Sequence, residues 1–419
     1  MTERLSGFFV DGHARLSRGG RAAWLVIGSI DLLNGAASPR DSDVMVLVPL
    51  PCVEAQAPSN TIVVRWSELG AVELIASTVD GSRRGAAADS GAGLFAAMAA
   101  GNVLRRLITQ VSGAGGVLES YVPLFYLSRS GQDLDLHVYS QIRFLPEDAC
   151  FIRVTETPLR VRDVEGFSWL ATAAELHAEK ALFLNNHQCY YRKCFDGQEL
   201  EYKYTLLPPP DIWSLTTDVY RRVRAGKLPG FMLEYHDEFQ AWDYLNHLFE
   251  VTAPERDRGY VSFIPTTDGR HIVKRKWFTE DAFARRERLT AGAAVGGSLE
   301  GYLCDVLRVQ ARRLPSFRRV RYDVNIESVL TGHVFCILFD RCGLLDAPDI
   351  VLSQCEVEYV RSRTAVPPSE SDVLREIDDL AWWLQAFLEE HELSSQRSCY
   401  SKLTFLREVV ARRPDLGGC

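Results

Sequence analysis

The pentapeptide Glu199-Leu200-Glu201-Tyr202-Lys203 decides which fold this 419-residue sequence is expected to adopt. Successive side chains of a β-strand point to opposite faces, so the two glutamates and the lysine share one face. Neighbouring carboxylates repel each other, and their burial is costly unless a cation joins them. A divalent metal ion is the natural cation, and the adjacent lysine suits a phosphate group that the metal also contacts.

A second acidic pair, Glu356 and Glu358, shares one face of a later predicted strand. The opposite face carries Val357 and Tyr359, which are able to pack beneath helices. The charged faces of the two acidic strands can then line the wet interior of a barrel. Two such strands near the two ends of one domain predict a metal site that is assembled by closing a sheet.

Two further predicted strands supply positive charge. The segment from His271 to Phe278 places Lys274 and Lys276 on one face. Between residues 319 and 327, polar and apolar residues alternate, which is the pattern of a half-buried strand with Arg319 and Arg321 on its polar face. Lysine is otherwise scarce, with seven lysines against forty arginines, so its use in these segments hints at a specific need.

Composition narrows the class of protein. A net charge of −8 argues against a surface that coats nucleic acid. The ten cysteines form no CxxC pair, which favours reduced thiols over a zinc site. No secretory signal is visible, and no apolar run approaches the ~20 residues that span a bilayer. These features predict a soluble, cytoplasmic protein without a membrane partner.

The length of the chain favours two domains, and the sequence predicts an α+β fold. An N-terminal α+β domain of unassigned role is expected over residues 1–180, with a helix over 92–111 and glycine-rich loops over 80–91 and 112–116. The strands predicted in this domain are Ala23–Ile27, Val44–Val48, Thr61–Arg65, Val72–Ala76, Val122–Leu127 and Leu134–Phe144.

The second domain is expected over residues 181–419. Asp211 is suited to cap a helix that reaches Arg224, with Gly226 just past its end, and an amphipathic helix is expected after Ser369. The further strands predicted here are Met232–Glu238, Leu248–Thr252, Gly259–Ile264, His271–Phe278, Val334–Phe339 and Val351–Val360.

The ordered set of motifs in the second domain resembles the CYTH, or triphosphate tunnel metalloenzyme, superfamily. Its first-strand ExExK hallmark is met by Glu199, Glu201 and Lys203. The matching pieces that follow are the basic strand with Lys274 and Lys276, the Arg319 and Arg321 pair, Asp340 with Gly343, the acids Glu356 and Glu358, and the ending Ser398-Cys399-Tyr400-Ser401-Lys402. The resemblance covers roughly residues 185–410.

This resemblance implies a closed eight-stranded antiparallel β-barrel with flanking helices that encloses a tunnel for a triphosphate and Mg²⁺ or Mn²⁺. It implies metal ligands at Glu199, Glu201, Glu356, Glu358 and Asp340. It implies phosphate-binding side chains at Lys203, Lys274, Lys276, Arg319, Arg321 and Lys402, with Glu201, Lys203 and Glu358 central to catalysis. The expected activity is metal-dependent hydrolysis of an inorganic, nucleoside or other organic triphosphate, and a 5′-triphosphate RNA end is the one nucleic-acid partner in keeping with it.

One departure from the family pattern concerns a basic strand that usually precedes the lysine strand. The corresponding stretch, Gly259–Ile264, contains no arginine. Three alternatives stay open. The first is a nucleotide cyclase or nucleotidyltransferase that uses the same kind of site. The second, which the missing arginine favours, is a non-catalytic protein that binds a phosphorylated ligand, and the third is an interaction protein with a vestigial barrel.

Other patterns have plainer interpretations. Arg361 and Arg363 share the face opposite the acids of their strand and are interpreted as surface residues. In the N-terminal domain, Gly28-Ser29 is followed by Asp41 and Asp43, which resembles the nucleotidyltransferase pattern in a degenerate form because Met45 stands at its second acidic position. The later acids of this pattern, Asp133 and Asp135, together with His137 and Gln141, are equally consistent with a wet sheet face.

Overall fold

The computed structural model of the chain describes residues 23–29, 32, 43–50, 58–78, 83–88, 103–112, 121–130, 134–144, 147–185, 192–234, 239–393 and 396–417. These residues form antiparallel sheets with six helices, so the described part of the chain is α+β. They divide into two compact units. The first unit holds the described residues up to Arg192 with Ser328–Gly332 and Ser362–Pro368, and the second holds Lys193–Glu327, His333–Arg361 and the described residues from Ser369 onward.

The first unit is built on one nine-stranded antiparallel sheet. Its strands are β1 (Ala23–Ser29), β2 (Val44–Leu50), β3 (Thr61–Arg65), β4 (Val72–Thr78), β5 (Arg83–Ala88), β6 (Tyr121–Ser130), β7 (Asp135–Phe144), β8 (Asp148–Arg153) and β9 (Leu159–Arg160). Their spatial order is β3-β8-β7-β6-β1-β2-β4-β5, and β9 pairs with β7. Two helices accompany the sheet, α1 (Val103–Ser112) and α2 (Leu170–Asn185).

Both faces of this sheet are buried near its centre. Strands β1 and β2 are almost continuous apolar runs, and nearly every residue in them is buried. Leu104 and Leu107 of α1 pack in the core on one face, whereas Leu170 and Ala173 of α2 pack in the core on the other. A strand that is covered on both sides needs apolar side chains at every position, which explains the absence of alternation here.

All six predicted strands of this unit are confirmed, with ends that differ by at most three residues. The predicted loop over 80–91 is wrong in part, because Arg83–Ala88 forms the edge strand β5 and pairs with β4. The predicted helix over 92–111 is confirmed from Val103, and residues 92–102 lie outside the described part of the chain.

The second unit contains a ring of eight strands. These are β10 (Gln198–Thr205), β12 (Phe239–Ala253), β13 (Gly259–Pro265), β14 (His271–Trp277), β15 (Ala284–Ala293), β17 (Phe317–Ser328), β18 (His333–Leu344) and β19 (Val351–Ser362). Each strand pairs antiparallel with its neighbours in the order β17-β18-β19-β10-β15-β14-β13-β12, and β12 pairs with β17 to complete the ring. Three short strands join its margins, β11 (Phe231–Leu233), β16 (Gln310–Arg313) and β20 (Arg397–Ser398).

Four helices belong to this unit among the described residues, namely α3 (Ile212–Arg224), α4 (Leu299–Asp305), α5 (Glu370–Glu390) and α6 (Lys402–Arg412). Leu200 and Tyr204 of β10 pack in one core with Val219 of α3 and Leu384 of α5. The apolar face of β10 is therefore covered by helices, as the alternation predicted, and its charged face must lie on the other side of the strand.

Several features of this unit differ from the sequence prediction. The strand predicted over Met232–Glu238 ends at Leu233 as part of β11, and residues 235–238 lie outside the described part of the chain. The short strands β16 and β20 were not predicted. Strand β15 was not predicted, although it completes the ring between β10 and β14. The predicted short strand at 248–252 is the end of the fifteen-residue β12. In β15, arginines on both faces hide the alternation on which the prediction depends, and in the first half of β12 each face mixes polar with apolar side chains.

The interpretation of Arg363 as a surface residue is wrong. Its side chain is fully buried, whereas Arg361 is partly exposed. Strand β19 ends at Ser362, so Arg363 no longer follows the alternation of that strand. Its backbone N–H donates to the Gly332 carbonyl at 2.7 Å, and its own carbonyl accepts from Asn60 Nδ2 at 3.0 Å.

No helix among the described residues is both long and apolar enough to span a lipid bilayer.

The start of α3 supplies a test of the fold. The Asp211 carboxylate accepts hydrogen bonds from the backbone N–H groups of Trp213 and Ser214 at 3.0 and 3.2 Å, and Gly226, with φ +70°, follows the end of the helix. Asp211→Ala should lower the free energy of unfolding by about 1 kcal/mol. Asp211→Asn keeps an acceptor oxygen and should lower the free energy of unfolding by roughly a few tenths of a kcal/mol at most. Urea denaturation measures the free energy of unfolding of both variants. Equal losses would show that the acceptor oxygen at position 211 does not stabilise the helix.

Candidate functional site

The register between β10 and β19 places one pair of like charges and one pair of opposite charges beside each other. Glu201 lies directly opposite Glu358, and Lys203 lies directly opposite Glu356. All of these side chains belong to the face that is turned away from the helical core, and Glu201, Lys203 and Glu356 are buried. Like charges directly opposite each other destabilise a strand pair, so this pairing calls for cations or a bound metal ion.

Three of the predicted metal ligands come together. Oxygen atoms of Glu199, Glu201 and Glu358 all lie within 4.8 Å of one another, and they form the only such group of potential metal ligands among the described residues. Carboxylate oxygens suit a hard divalent ion such as Mg²⁺ or Mn²⁺. The donor set therefore fits the expected metal, with Glu199, Glu201 and Glu358 as the residues that could hold it.

The three carboxylates differ in how they are compensated. Burial by itself raises the pKa of Glu199, but Lys276 and Lys274 outweigh that effect and lower the pKa to about 2. For Glu358, burial and the charges of Glu199 and Glu201 raise the pKa to about 7, against the weaker effect of Lys274. Among the described residues, Glu358 has no hydrogen bond or ion pair, so the group of three acids is under-neutralised at this carboxylate.

A first group of cations surrounds Glu199 and Glu201. Lys276 Nζ contacts Glu199 Oε2 and lies 3.5 Å from Glu201 Oε1, while Lys274 Nζ lies 3.5 Å from Glu199 Oε1. The Arg285 guanidinium donates to Glu201. Glu287 on the same strand as Arg285 pairs with Lys274 at 2.9 Å, and despite burial the two lysines lower its pKa to about 2.

A second group of cations surrounds Glu356 and Asp340. Lys402 Nζ lies 2.7 Å from Glu356 Oε1 and 3.0 Å from Asp340 Oδ2, and Arg319 donates to Asp340. Lys203 bridges the two groups, at 2.5 Å from Glu356 Oε1 and 2.8 Å from Glu201 Oε2. Burial opposes ionisation of Glu356, but Lys203, Lys402 and Arg319 hold its pKa well below the usual range. Two of the predicted metal ligands, Glu356 and Asp340, are thus engaged by cations and lie outside the group of three acids.

Arg321 takes part in a third arrangement. Its Nε and one terminal nitrogen donate to the two oxygens of Asp323 at 2.9 and 2.6 Å, a bidentate pair of the strong kind. The indole N–H of Trp242 donates to the same carboxylate at 3.1 Å. Arg321, which the family resemblance implies as a phosphate ligand, is thus already paired with Asp323. Its side chain also lines the cavity described next.

These side chains line one cavity of about 420 Å³, here called the ionic cavity. Seven of the eight ring strands and the start of α6 contribute to its wall. Its cationic side chains are Lys203, Lys274, Lys276, Arg285, Arg319, Arg321 and Lys402. Glu199, Glu201, Glu356 and Glu358 line the same cavity, so every predicted site residue except Asp340 reaches it directly.

The sequence reasoning missed Arg285 and Glu287. The strand that was expected to carry an arginine, now β13, lines the cavity with Tyr260, Ser262 and Ile264 and has none. Arg285 supplies a cation from β15 instead, where it lies directly opposite Glu199. The available signal was the alternation of Arg285 and Glu287, but the arginines at positions 286 and 288 obscure it.

Among the described residues, the N-terminal acidic pattern forms no group comparable to that of Glu199, Glu201 and Glu358. Asp41 and Asp133 lie outside the described residues, Met45 is fully buried, and Asp135 pairs with Arg160 at 3.3 Å. A Cβ added at Gly28 would lie 2.7 Å from Leu124 Cδ1, so the glycine packs among apolar side chains. Nothing in the described part of this unit supports a phosphate site at Gly28.

Comparison with known proteins adds little to this geometry. No family model and no curated protein matches the sequence. Two solved structures of the S. pombe Pct1 RNA triphosphatase are similar, one in complex with the Spt5 CTD (14% identity, TM-score 0.22, 47% of this chain and 85% of that one) and one alone (12%, 0.21, 47% and 84%). TM-scores of this size carry no argument, so the function has to be inferred from the site itself.

The raised pKa of Glu358 gives a pH-dependent test. An acid whose pKa is higher in the folded than in the unfolded state adds stability below its unfolded value of 4.5, and that stability is lost as the pH rises toward about 7. The metal-free protein should therefore lose stability over this range, by at most about 1 kcal/mol per pH unit from this group. Glu358→Gln should remove that loss, which urea denaturation at pH 5, 6, 7 and 8 measures as a difference from the unchanged protein. Parallel curves for the two proteins would contradict the prediction.

Proposed function

We propose that the second unit is a metal-dependent phosphohydrolase that acts on a triphosphate held in a tunnel enclosed by the eight-stranded ring. The observation that carries this proposal is the ionic cavity, in which three converging carboxylates lie beside seven cations. Phosphoryl transfer depends mainly on positioning and charge neutralisation, and a site with these two components supplies both.

In this proposal Glu199, Glu201 and Glu358 hold Mg²⁺ or Mn²⁺. When bound, such an ion neutralises phosphate charge and helps to supply an activated water. Glu358 is suited to this role because its carboxylate has no cation within ion-pair distance among the described residues, so a metal ion would relieve the repulsion from Glu199 and Glu201. Glu201 and Glu358 are thus the carboxylates on which catalysis is expected to depend most.

The cations bind the phosphate oxygens in the proposed complex. Lys274, Lys276 and Arg285 come from one side of the acids, and Arg319 and Lys402 from the other. Without a ligand they are paired with carboxylates, and the buried Nε atoms of Arg285 and Arg319 find no hydrogen-bond acceptor within the described part of the chain. Unsatisfied buried donors are unfavourable, and an anionic ligand is the kind of partner that such a site accepts.

Glu356 and Asp340 have a different role in this proposal from the one the sequence suggested. Both contact Lys402, and Glu356 also contacts Lys203. We assign them as positioning residues that hold these cations against the cavity, because their carboxylates lie outside the group formed by Glu199, Glu201 and Glu358. Lys203, whose pKa burial lowers, lies between Glu201 and Glu356 and is placed to contact the phosphates beside the metal.

Loss of a metal ligand should abolish the activity. Glu201→Ala and Glu358→Ala remove carboxylates whose metal ion supplies several kcal/mol of transition-state stabilisation, so phosphate release should fall by more than about 100-fold. Glu255→Ala, at an exposed acid that does not line the cavity, is the matched control and should leave the rate unchanged. Colorimetric phosphate release with Mn²⁺ or Mg²⁺ measures the rates, and circular dichroism checks the fold. Unchanged rates in both acid variants would refute the proposal.

The products decide between hydrolysis and the alternatives. Hydrolysis of a nucleoside triphosphate gives the diphosphate and phosphate, whereas a cyclase gives pyrophosphate and a cyclic nucleotide of different mass. Saturable binding without turnover in either metal would instead identify a non-catalytic binding protein.

Arg285 offers a second test, with a control on the same strand. Arg285 is buried against Glu201, whereas its neighbour Arg286 is exposed on the opposite face of β15. Arg285→Ala should lower kcat/KM by about 100-fold, because a charge-assisted contact in a water-poor site contributes roughly 2–3 kcal/mol. Arg286→Ala should change kcat/KM less than twofold. Equal effects of the two substitutions would exclude Arg285 from the binding machinery.

A further inference from the structure

The ionic cavity changes character along its length. On β14 the cavity-lining residues run from Ile272 through Lys274 to Lys276. Ile272 lies opposite Ile264 of β13, and Lys274 lies opposite Leu289 of β15. Apolar side chains from three neighbouring strands therefore meet at one end of the cavity, next to the cations.

This apolar end is open to solvent. Leu289 is 57% exposed, whereas Lys276 is buried. At the other end, the apolar lining residues Leu248 and Phe317 are almost completely buried. Charged side chains are usually exposed and large apolar side chains buried, and this cavity shows the reverse. Exposed apolar side chains that lie together commonly mark a binding site.

Trp242 stands at the same open end. The pairing of β12 with β13 begins at His247 opposite Phe263 and runs antiparallel, so β12 residues before 245 extend past Pro265. Trp242 lines the cavity and is 49% exposed. Its indole N–H is fixed by Asp323, which leaves a large aromatic side chain presented to solvent in a defined orientation.

We propose that Trp242, with Ile264, Ile272 and Leu289, forms a stacking subsite for a flat heterocyclic ring attached to the triphosphate, in particular a nucleobase. This proposal rests on the proposed function, because phosphates held by the buried cations would leave the attached group at the apolar end. An inorganic triphosphate has no group to occupy this subsite. The arrangement therefore selects organic triphosphates with an aromatic ring over inorganic triphosphate.

Space for such a group continues beyond the cations. A second depression of about 400 Å³ shares Asp243, Tyr244 and Pro265 with the ionic cavity and is also lined by Leu245. Pockets of a few hundred Å³ with apolar walls and a few fixed polar groups are typical of small-molecule sites. A sugar and base can thus extend outward from the phosphate positions along a surface that is already partly apolar.

The test compares two ligands that resist hydrolysis, β,γ-methylene ATP and bis-methylene triphosphate. Their dissociation constants are measured by calorimetry with Mn²⁺ present. The unchanged protein should bind the nucleotide analogue more tightly. Trp242→Ala should weaken nucleotide binding about tenfold, as expected for loss of one base–aromatic stack, and leave the inorganic analogue within twofold. Trp242→Phe, which keeps a ring, should recover most of the affinity.

Trp382→Ala is the matched control, since Trp382 is 60% exposed on α5 and does not line the cavity. It should leave both dissociation constants unchanged. If both analogues bind and Trp242→Ala weakens them equally or not at all, the stacking subsite is excluded while the proposed function stands. If neither analogue binds the unchanged protein, both the subsite and the proposed function are overturned.

Discussion

The arrangement of strands in the second unit is constrained by the burial of several carboxylates on neighbouring strands. Glu201 lies opposite Glu358 in a paired ladder, and Glu199 lies close to both. Repulsion of this kind would separate the strands if nothing compensated it. Compensation comes from cations on other strands of the ring, above all Lys276 and Arg285, which contact Glu199 and Glu201. The charges therefore require the ring, because the strand pair that carries the acids does not contain enough cations to neutralise them.

The same constraint explains why both faces of the acidic strands are covered. Tyr204 of β10 packs with α5, and its hydroxyl donates to the Ala381 carbonyl at 2.6 Å. Lys203, its neighbour in sequence, points the other way into the ionic cavity. The helices thus fix the outer face of a strand whose inner face is destabilised by charge. Hydrophobic burial outside the ring is the favourable contribution that offsets an expensive polar interior.

Neutralisation within the cavity is uneven, and the proposed chemistry follows from this unevenness. Glu356 and Asp340 are engaged by Lys402 and its neighbours, whereas no cation among the described residues lies within ion-pair distance of Glu358. A carboxylate without a paired cation binds a metal ion at a lower cost than a paired one, and cations in the same cavity favour the binding of phosphates. In the proposed complex, the cations would hold the phosphates, the three acids would hold the metal ion, and the exposed apolar end would contact the attached ring.

The sequence by itself determined which strand faces are charged, since alternation in Glu199–Lys203 and Arg319–Glu327 is a local property of the backbone. It also determined the starts of α3 and α5, because capping by Asp211 and Ser369 acts within one helical turn. Only the tertiary structure decided which acids meet, since Glu358 joins Glu199 and Glu201 while Glu356 pairs with Lys203 and Lys402. Arg285 and Trp242 line the cavity because of the register between strands that are far apart in sequence. That register is set by packing across the whole ring, so no local sequence pattern predicts it.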